Sequence, residues 1–276
     1  MNRFSQNKNQ TIALALVACT AITASPVGFA GPDADKKDCH GLPTYQDLKD
    51  ALRGAVAAEN SGLNNEMWAT IVTRDGVVCA VAFSGEDRGS QWPGSRVISA
   101  QKANTANAFS LDAPKQAVST ANLYAPVQGT SGANAATMLG GNFFGLQFSN
   151  PVDPTVAYGG NPKHYGQPND PMVGNRPGGV NVFGGGLGLY NDGKIIGGLG
   201  VSGDTSCHDH NIAWRVRYAL GLDDMPGVTG FSGDAARPDN IVLDTFNGNH
   251  NGVTDVFENA ECPGQVDPTS LPAVQQ

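Results

Sequence analysis

The chain has 276 residues, a net charge of −8 from 17 Lys and Arg against 25 Asp and Glu, and 36 Gly with 17 Pro. An acidic chain without a Lys/Arg cluster argues against nucleic acid as a partner. The length is enough for one substantial core, and the Gly and Pro content points to one domain with loops and tails rather than two full domains.

Residues 1–30 read as a signal peptide. Arg3 and Lys8 give a basic start, Thr11 to Thr23 an apolar centre, and Gly28-Phe29-Ala30 a small-residue cleavage site. The apolar run is shorter than the ~20 residues a spanning helix needs, and no later stretch is long or apolar enough to cross a membrane. The protein is therefore expected to be exported, periplasmic or secreted. Leu16-Val17-Ala18-Cys19 resembles a lipobox, so a lipoprotein anchored through Cys19 is the alternative.

Beyond the leader stand Cys39, Cys79, Cys207 and Cys262, an even count that favours disulfides and allows three pairings. We take Cys39–Cys79 and Cys207–Cys262. If the first helix runs antiparallel to the first strand, its start falls near the beginning of the second strand, where Cys79 sits. No Cys-x-x-Cys spacing supports a metal site.

Thr44 to Glu59 is a helix, with Thr44 as N-cap, Asp47 in the first turn and Leu48, Leu52, Ala55 and Val56 on one face. Trp68 to Phe83 reads as a hairpin around Arg74-Asp75-Gly76, and Ser95 to Phe109 as a helix with a row of alanines. Arg96 and Lys102 lie off that row, where a lysine is usually solvated. Pro114 can open a further helix to about Tyr124. Asn142 to Phe148 suggests a short turn or strand, and the proline-rich stretch from Asn150 to Arg176 an ordered cover.

A second hairpin, Leu187 to Val201, surrounds Asn191-Asp192-Gly193, where a three-residue connection with a left-handed last residue is expected. Its strands are dense in glycine, which suits either tight helix-on-sheet packing, the reading we favour, or a floor for a flat ligand. Each hairpin is followed by Ser-Gly-acid (Ser84-Gly85-Glu86 and Ser202-Gly203-Asp204) and then a helix, the second from Asp209 to Leu220. Two hairpin-then-helix units around one sheet give an α/β fold of the α+β type. An antiparallel β-sheet is covered by helices, with a long Pro/Gly-rich loop and, from residue 223 to 276, a loop-rich C-terminal tail pinned by Cys262. Asp244, Asn247, Asn249 and Asp255 in that tail read as a solvated loop rather than a calcium site.

There is no Gly-x-Ser-x-Gly, His-Glu-x-x-His, phosphate loop or dinucleotide fingerprint. The histidines are His40, His164, His208, His210 and His250. His208 and His210 diverge if helical; in a loop they could chelate, with Asp209 orienting one of them.

Several blocks resemble the GlcG/HbpS-type haem-binding family, to which the PduO C-terminal domain is related. They are Arg88-Gly89-Ser90 with Ser95 to Phe109, Phe144 to Gln147, Gly178 to Val182, and Gly193 to Asp204. The likeness spans about residues 42–222, with Asn181 standing where the family block has proline. It implies the helix-covered antiparallel sheet, a homo-oligomer, and a haem or other tetrapyrrole ligand. It also places Lys102 at the family's helix lysine, Gly178 and Gly179 in the loop before the hairpin, and Asp209 at the acidic position after the last Ser-Gly. Without Cys-x-x-Cys-His, haem would be held non-covalently.

A haem needs an apolar face, cations for its propionates and an axial ligand. The glycine-rich sheet face, Lys102 or Arg96, and His164 or His210 are the candidates. His164 on the cover is preferred as the ligand to haem iron. His40 and His250 lie in linker and tail, and His208 is tied to Cys207. An enzyme acting on a small polar molecule through Lys102, Asp209 and His210 is the second reading. A scaffold or adhesion module is the third.

Overall fold

The computed structural model describes residues 39–128, 143–243, 257–264 and 267–276. Residues 1–38, Cys19 among them, together with Asp244, Asn247, Asn249, His250 and Asp255, lie outside the described residues.

Helix α1, Tyr45–Ala58, starts on a capping box: Thr44 accepts from the Asp47 amide while the Asp47 carboxylate accepts from the Thr44 amide. Such a cap is worth about 1 kcal/mol, and it fixes the helix start where the sequence placed it. Strands β1 (Trp68–Thr73) and β2 (Val78–Phe83) follow, then helix α2, Ser95–Phe109. Strands β3 (Gly186–Asn191) and β4 (Lys194–Ser202) form the second hairpin, and helix α3 is Ser206–Ala219. The sheet order is β2-β1-β4-β3, with every neighbouring pair antiparallel. The two hairpins thus join edge to edge through β1 and β4.

Both sheet faces are buried, so the strands are apolar almost throughout rather than alternating. On one face Leu48, Leu52 and Ala55 of α1 and Ile212, Trp214 and Val216 of α3 pack against Ile71, Leu187 and Leu199. The other face carries α2, and there the glycines decide the geometry. A Cβ on Gly200 would come 1.9 Å from the Ser99 carbonyl oxygen, and one on Gly198 would come 2.2 Å from that of Ala103. The glycine face is therefore filled by a helix seated directly on the strands, and the alternative of a flat-ligand floor is excluded. Ala100, Ala103 and Ala106, all buried, supply the matching low profile on the helix.

The hairpin turns differ. At Arg74-Asp75-Gly76 the chain makes the three-residue connection with Gly76 at φ +77°, closed by the Thr73 amide donating to the Val77 carbonyl. At the second hairpin Asn191 pairs with Lys194, and Asp192 and Gly193 both have positive φ (+51° and +66°). This is a two-residue turn of the mirror-image type, which Asp-Gly favours, in place of the expected three-residue connection.

The helix expected from Pro114 to Tyr124 does not form. Leu111 and Gln116 exchange backbone hydrogen bonds around a turn with a cis Ala113–Pro114 peptide and Lys115 at φ +62°. Ser119 and Asn122 then bond to each other and to nearby backbone, a local alternative to helix. Helical turns are confined to Ala121–Leu123 and Tyr124–Val127. Phe143 to Phe148 holds a one-turn helix, Leu146–Ser149, entered through a left-handed Gly145.

The cover is ordered. Arg96, buried on α2, makes a two-pronged ion pair with Asp170, donates to the Ala157 carbonyl and stacks 3.7 Å from the Tyr165 ring centre. The tail wraps the domain: the Trp214 indole donates to the Pro272 carbonyl, and Met225 to that of Gln275. Both expected disulfides are present, Cys39–Cys79 and Cys207–Cys262. Each stabilises by about 2–4 kcal/mol, chiefly by constraining the unfolded chain.

Candidate functional site

A pocket of about 570 Å³ lies where α2, the loop from β4 into α3 and residues 259–263 of the tail meet. Its size falls in the ~300–1,000 Å³ range of cofactor and small-molecule sites. Ile98, Tyr124 and Pro263 make its walls mostly apolar, with Trp92 (51% exposed) and Phe183 (47% exposed) at the rim. A groove of about 620 Å³ between the start of α1 and the end of α3 is slightly larger. Its ionisable lining is Asp47 and Asp50 alone, so it offers no opposed charges and no buried reactive pair.

The charged lining of the 570 Å³ pocket is Lys102 with three carboxylates, Asp204, Asp209 and Glu261, and Lys102 pairs with Asp209. Lys102 sits mid-helix on α2, the helix the glycines draw onto the sheet, so its amine is buried rather than solvated. The Nζ atom donates to Asp209 Oδ2 at 2.6 Å and to the Val201 carbonyl at 3.0 Å, which employs two of its three protons. The other Asp209 oxygen accepts from the amides of Gly203 and Asp204, at 3.0 and 2.8 Å. The Ser202-Gly203-Asp204 segment is thus the turn that seats the carboxylate. Asp204 itself binds the amides of Leu63, Asn65 and Thr205.

Burial pushes the Asp209 carboxyl up to about 6, against the pull of Lys102. It also lowers the Lys102 amine, against the pull of Asp209. Burial thus disfavours the charged form of both groups, and their mutual contact opposes that effect.

The remaining sequence candidates stand elsewhere. Helix α3 begins at Ser206, so Cys207-His208-Asp209-His210 is helical and the two histidines diverge. His210 Nε2 accepts from the Ile241 amide at 3.1 Å, which holds the tail. Burial lowers His210 to about 4, leaving it neutral at physiological pH. His208 lies buried with Nδ1 3.7 Å from Asp204. Asp209 serves Lys102 and orients neither histidine. Among the described residues, no three His, Cys, Asp or Glu side chains converge on a metal position.

Arg96 is committed to Asp170 and is not offered to an anion. His164 stands on an exposed turn of the cover, Pro162–His164, apart from the pocket lining, and His40 is exposed beside Cys39. Gly178 and Gly179, both at positive φ, also lie outside the lining. Gly179 packs on Gln101 and accepts from Asn104. Sequence reasoning missed Trp92, Ile98, Tyr124, Phe183 and the tail segment as lining residues. No spacing links them, since they come from four separate parts of the chain.

No curated protein matches the chain. Among solved structures, it is similar to a PduOC:heme complex (22% identity, TM-score 0.39, covering 63% of this chain and 89% of that one). It is also similar to Klebsiella pneumoniae protein ORFY (19%, 0.40, 63% and 86%) and to Ybr137w protein (17%, 0.34, 68% and 86%). The description "haem degrading protein HbpS-like" matches residues 44–216, from the cap of α1 to the last turn of α3, with Lys102 and Asp209 inside the match. The match covers well over half of the chain, and the protein belongs to the HbpS-like haem-degrading family.

Proposed function

We propose that this protein is an exported haem-binding protein that holds the macrocycle non-covalently in the pocket between Ile98, Tyr124, Phe183 and the tail segment. Family membership makes haem the cofactor, and one observation carries the placement: an apolar-walled pocket of cofactor size opens directly onto the family-matched Lys102 and Asp209.

The lining fits haem in most respects. Its apolar side chains suit the flat face of the ring, and Trp92 and Phe183 can shield an edge. Among the described residues Lys102 is the one lining cation and is paired with Asp209, and Asp204 and Glu261 add negative charge, so the propionates would point to the open rim. Among the described residues, no histidine lines the pocket. Tyr124 is the side chain there that would hold iron, phenolate being an established protein ligand to haem. When bound, haem supplies redox and oxygen chemistry; this chain supplies the slot, the donor and a buried ion pair.

Haemin titration tests the reading. We expect a Soret shift that saturates at a defined stoichiometry, is lost in Ile98→Glu and is altered in Tyr124→Phe. A Soret change in His164→Ala instead would move the iron ligand to the cover. Non-saturating binding, with the spectrum of free haemin, would end the haem proposal. Export and self-association are part of it, supported by the basic-apolar leader, the two disulfides and the family likeness. Cell fractionation and sedimentation test them.

The 2.6 Å approach of Lys102 to Asp209 favours a second reading, an enzyme using that pair for acid–base work on a small polar molecule in the same pocket. Turnover without haem, abolished by Lys102→Met, would select it.

A further inference from the structure

The pocket is not built by the family-matched segment alone. Asn259, Ala260, Glu261, Cys262 and Pro263 form one of its walls, and all lie beyond the match that ends at residue 216. One covalent bond, Cys207–Cys262, ties that wall to the domain. On its N-terminal side the segment is held by a two-residue parallel pairing, Val242–Leu243 with Glu258–Asn259, and by stacking of Phe257 on Phe231 at 3.9 Å between centres.

The two sulfurs differ in surroundings. Cys207 is fully buried in the first turn of α3, and its amide lies 3.1 Å from the Cys262 sulfur; Cys262 is half-exposed. Cys262 is the sulfur that an external thiolate can reach, and buried Cys207 is then the sulfur that departs.

We propose that residues Asn259–Pro263 form a redox-released wall that determines how long the pocket retains its ligand. A dithiol reductant opens it. Its first thiolate attacks the Cys262 sulfur, forming a mixed disulfide and expelling the Cys207 thiolate. Its second thiol then displaces Cys262 and closes a cyclic disulfide. Two electrons pass to the protein bond, and the two protons lost by the dithiol end on Cys207 and Cys262. The wall then keeps the pairing of Val242–Leu243 with Glu258–Asn259, the Phe257–Phe231 stack and the packing of Cys262 against Ala121 and Ile241, but loses its covalent cross-link. Cys39–Cys79 lines no part of this pocket and serves as the internal control.

The proposal rests on the ligand-binding reading, and the test separates the two. Metal-free protoporphyrin IX is the probe, so that thiols have no iron to act on. Its dissociation into excess albumin is followed by fluorescence, and hydrogen exchange is measured across residues 257–264. After reduction, and in the Cys207→Ser/Cys262→Ser double variant, dissociation should quicken about tenfold, within the ~5–150-fold span of typical coupling. Exchange at 257–264 should rise while α2 stays protected, and Cys39→Ser/Cys79→Ser should leave dissociation unchanged. Unchanged dissociation, unchanged exchange, or global unfolding on reduction would each overturn the redox wall. Failure of the oxidised protein to bind protoporphyrin saturably would overturn the ligand reading, and exchange at 257–264 would still decide whether the wall is released.

Discussion

Replacing Lys102 by Met tests whether the buried pair is as tightly coupled as its geometry implies. The substitution keeps the chain length and apolar stem and removes the charge. Asp209 Oδ1 retains the Gly203 and Asp204 amides, but Oδ2 loses the Lys102 ammonium that donates to it. Both partners are almost fully buried, at 1% and 3% side-chain exposure, so water cannot replace the ammonium. Removing one partner of such a pair costs about 3–5 kcal/mol.

Asp209 has an escape, since burial already raises its carboxyl to about 6 and loss of Lys102 raises it further. Its folded value then lies above its unfolded one, so the folded protein binds the extra proton. Stability falls as pH rises through that window and stays low above it. The penalty should therefore be nearly full at pH 8 and smaller at pH 5, read from urea unfolding at both values. The Lys102→Met/Asp209→Asn double variant, with no stranded charge, should recover most of the loss at pH 8. A cost below about 1 kcal/mol at pH 8, or a larger cost at pH 5, would refute the coupling.

Three further substitutions probe how the site is held. Gly200→Ala forces a Cβ against the Ser99 carbonyl, and with backbone on both sides it should cost at least about 3 kcal/mol, the upper end of overpacking penalties; thermal unfolding near wild type would contradict the close helix seat. Arg96→Met strands Asp170 beneath the cover, so limited proteolysis between residues 150 and 176 should quicken several-fold, while equal cleavage rates would deny the clamp. His210 is held at about 4, below its unfolded value, so the stability it contributes is present above about pH 6.5 and lost as pH falls toward 4. The His210→Gln variant should show a shallower acid slope in that window, and an identical slope would place the titration elsewhere.

The fold was legible where local chemistry and pattern agree. Thr44 with Asp47 marks the start of α1, the alanine row marks the α2 contact, and the glycines of β4 mark the surface it meets. Where short-range signals compete, the sequence misled. Pro114 is compatible with a helix start and with a turn, and the reciprocal Leu111–Gln116 pairing selected the turn. Asp192-Gly193 supports two turn lengths, and the strand register chose the shorter. Neither register nor cross-chain pairing can be read from a window of ten residues.

The site was less legible, because charge status depends on distant partners. Lys102 and Asp209 were singled out by family likeness, but on a helix Lys102 reads as solvated. What buries it is the absence of side chains on Gly185, Gly186 and Gly200, far along the chain, which lets α2 settle until the amine meets Asp209. Arg96 shows the converse: the charge suits a propionate, yet Asp170 on the cover consumes it. A cation in sequence is thus a ligand group only after its internal carboxylates are counted. By that count, Lys102 and Arg96 are both already paired, and with Asp204 and Glu261 also lining the pocket it holds no unpaired cation among the described residues.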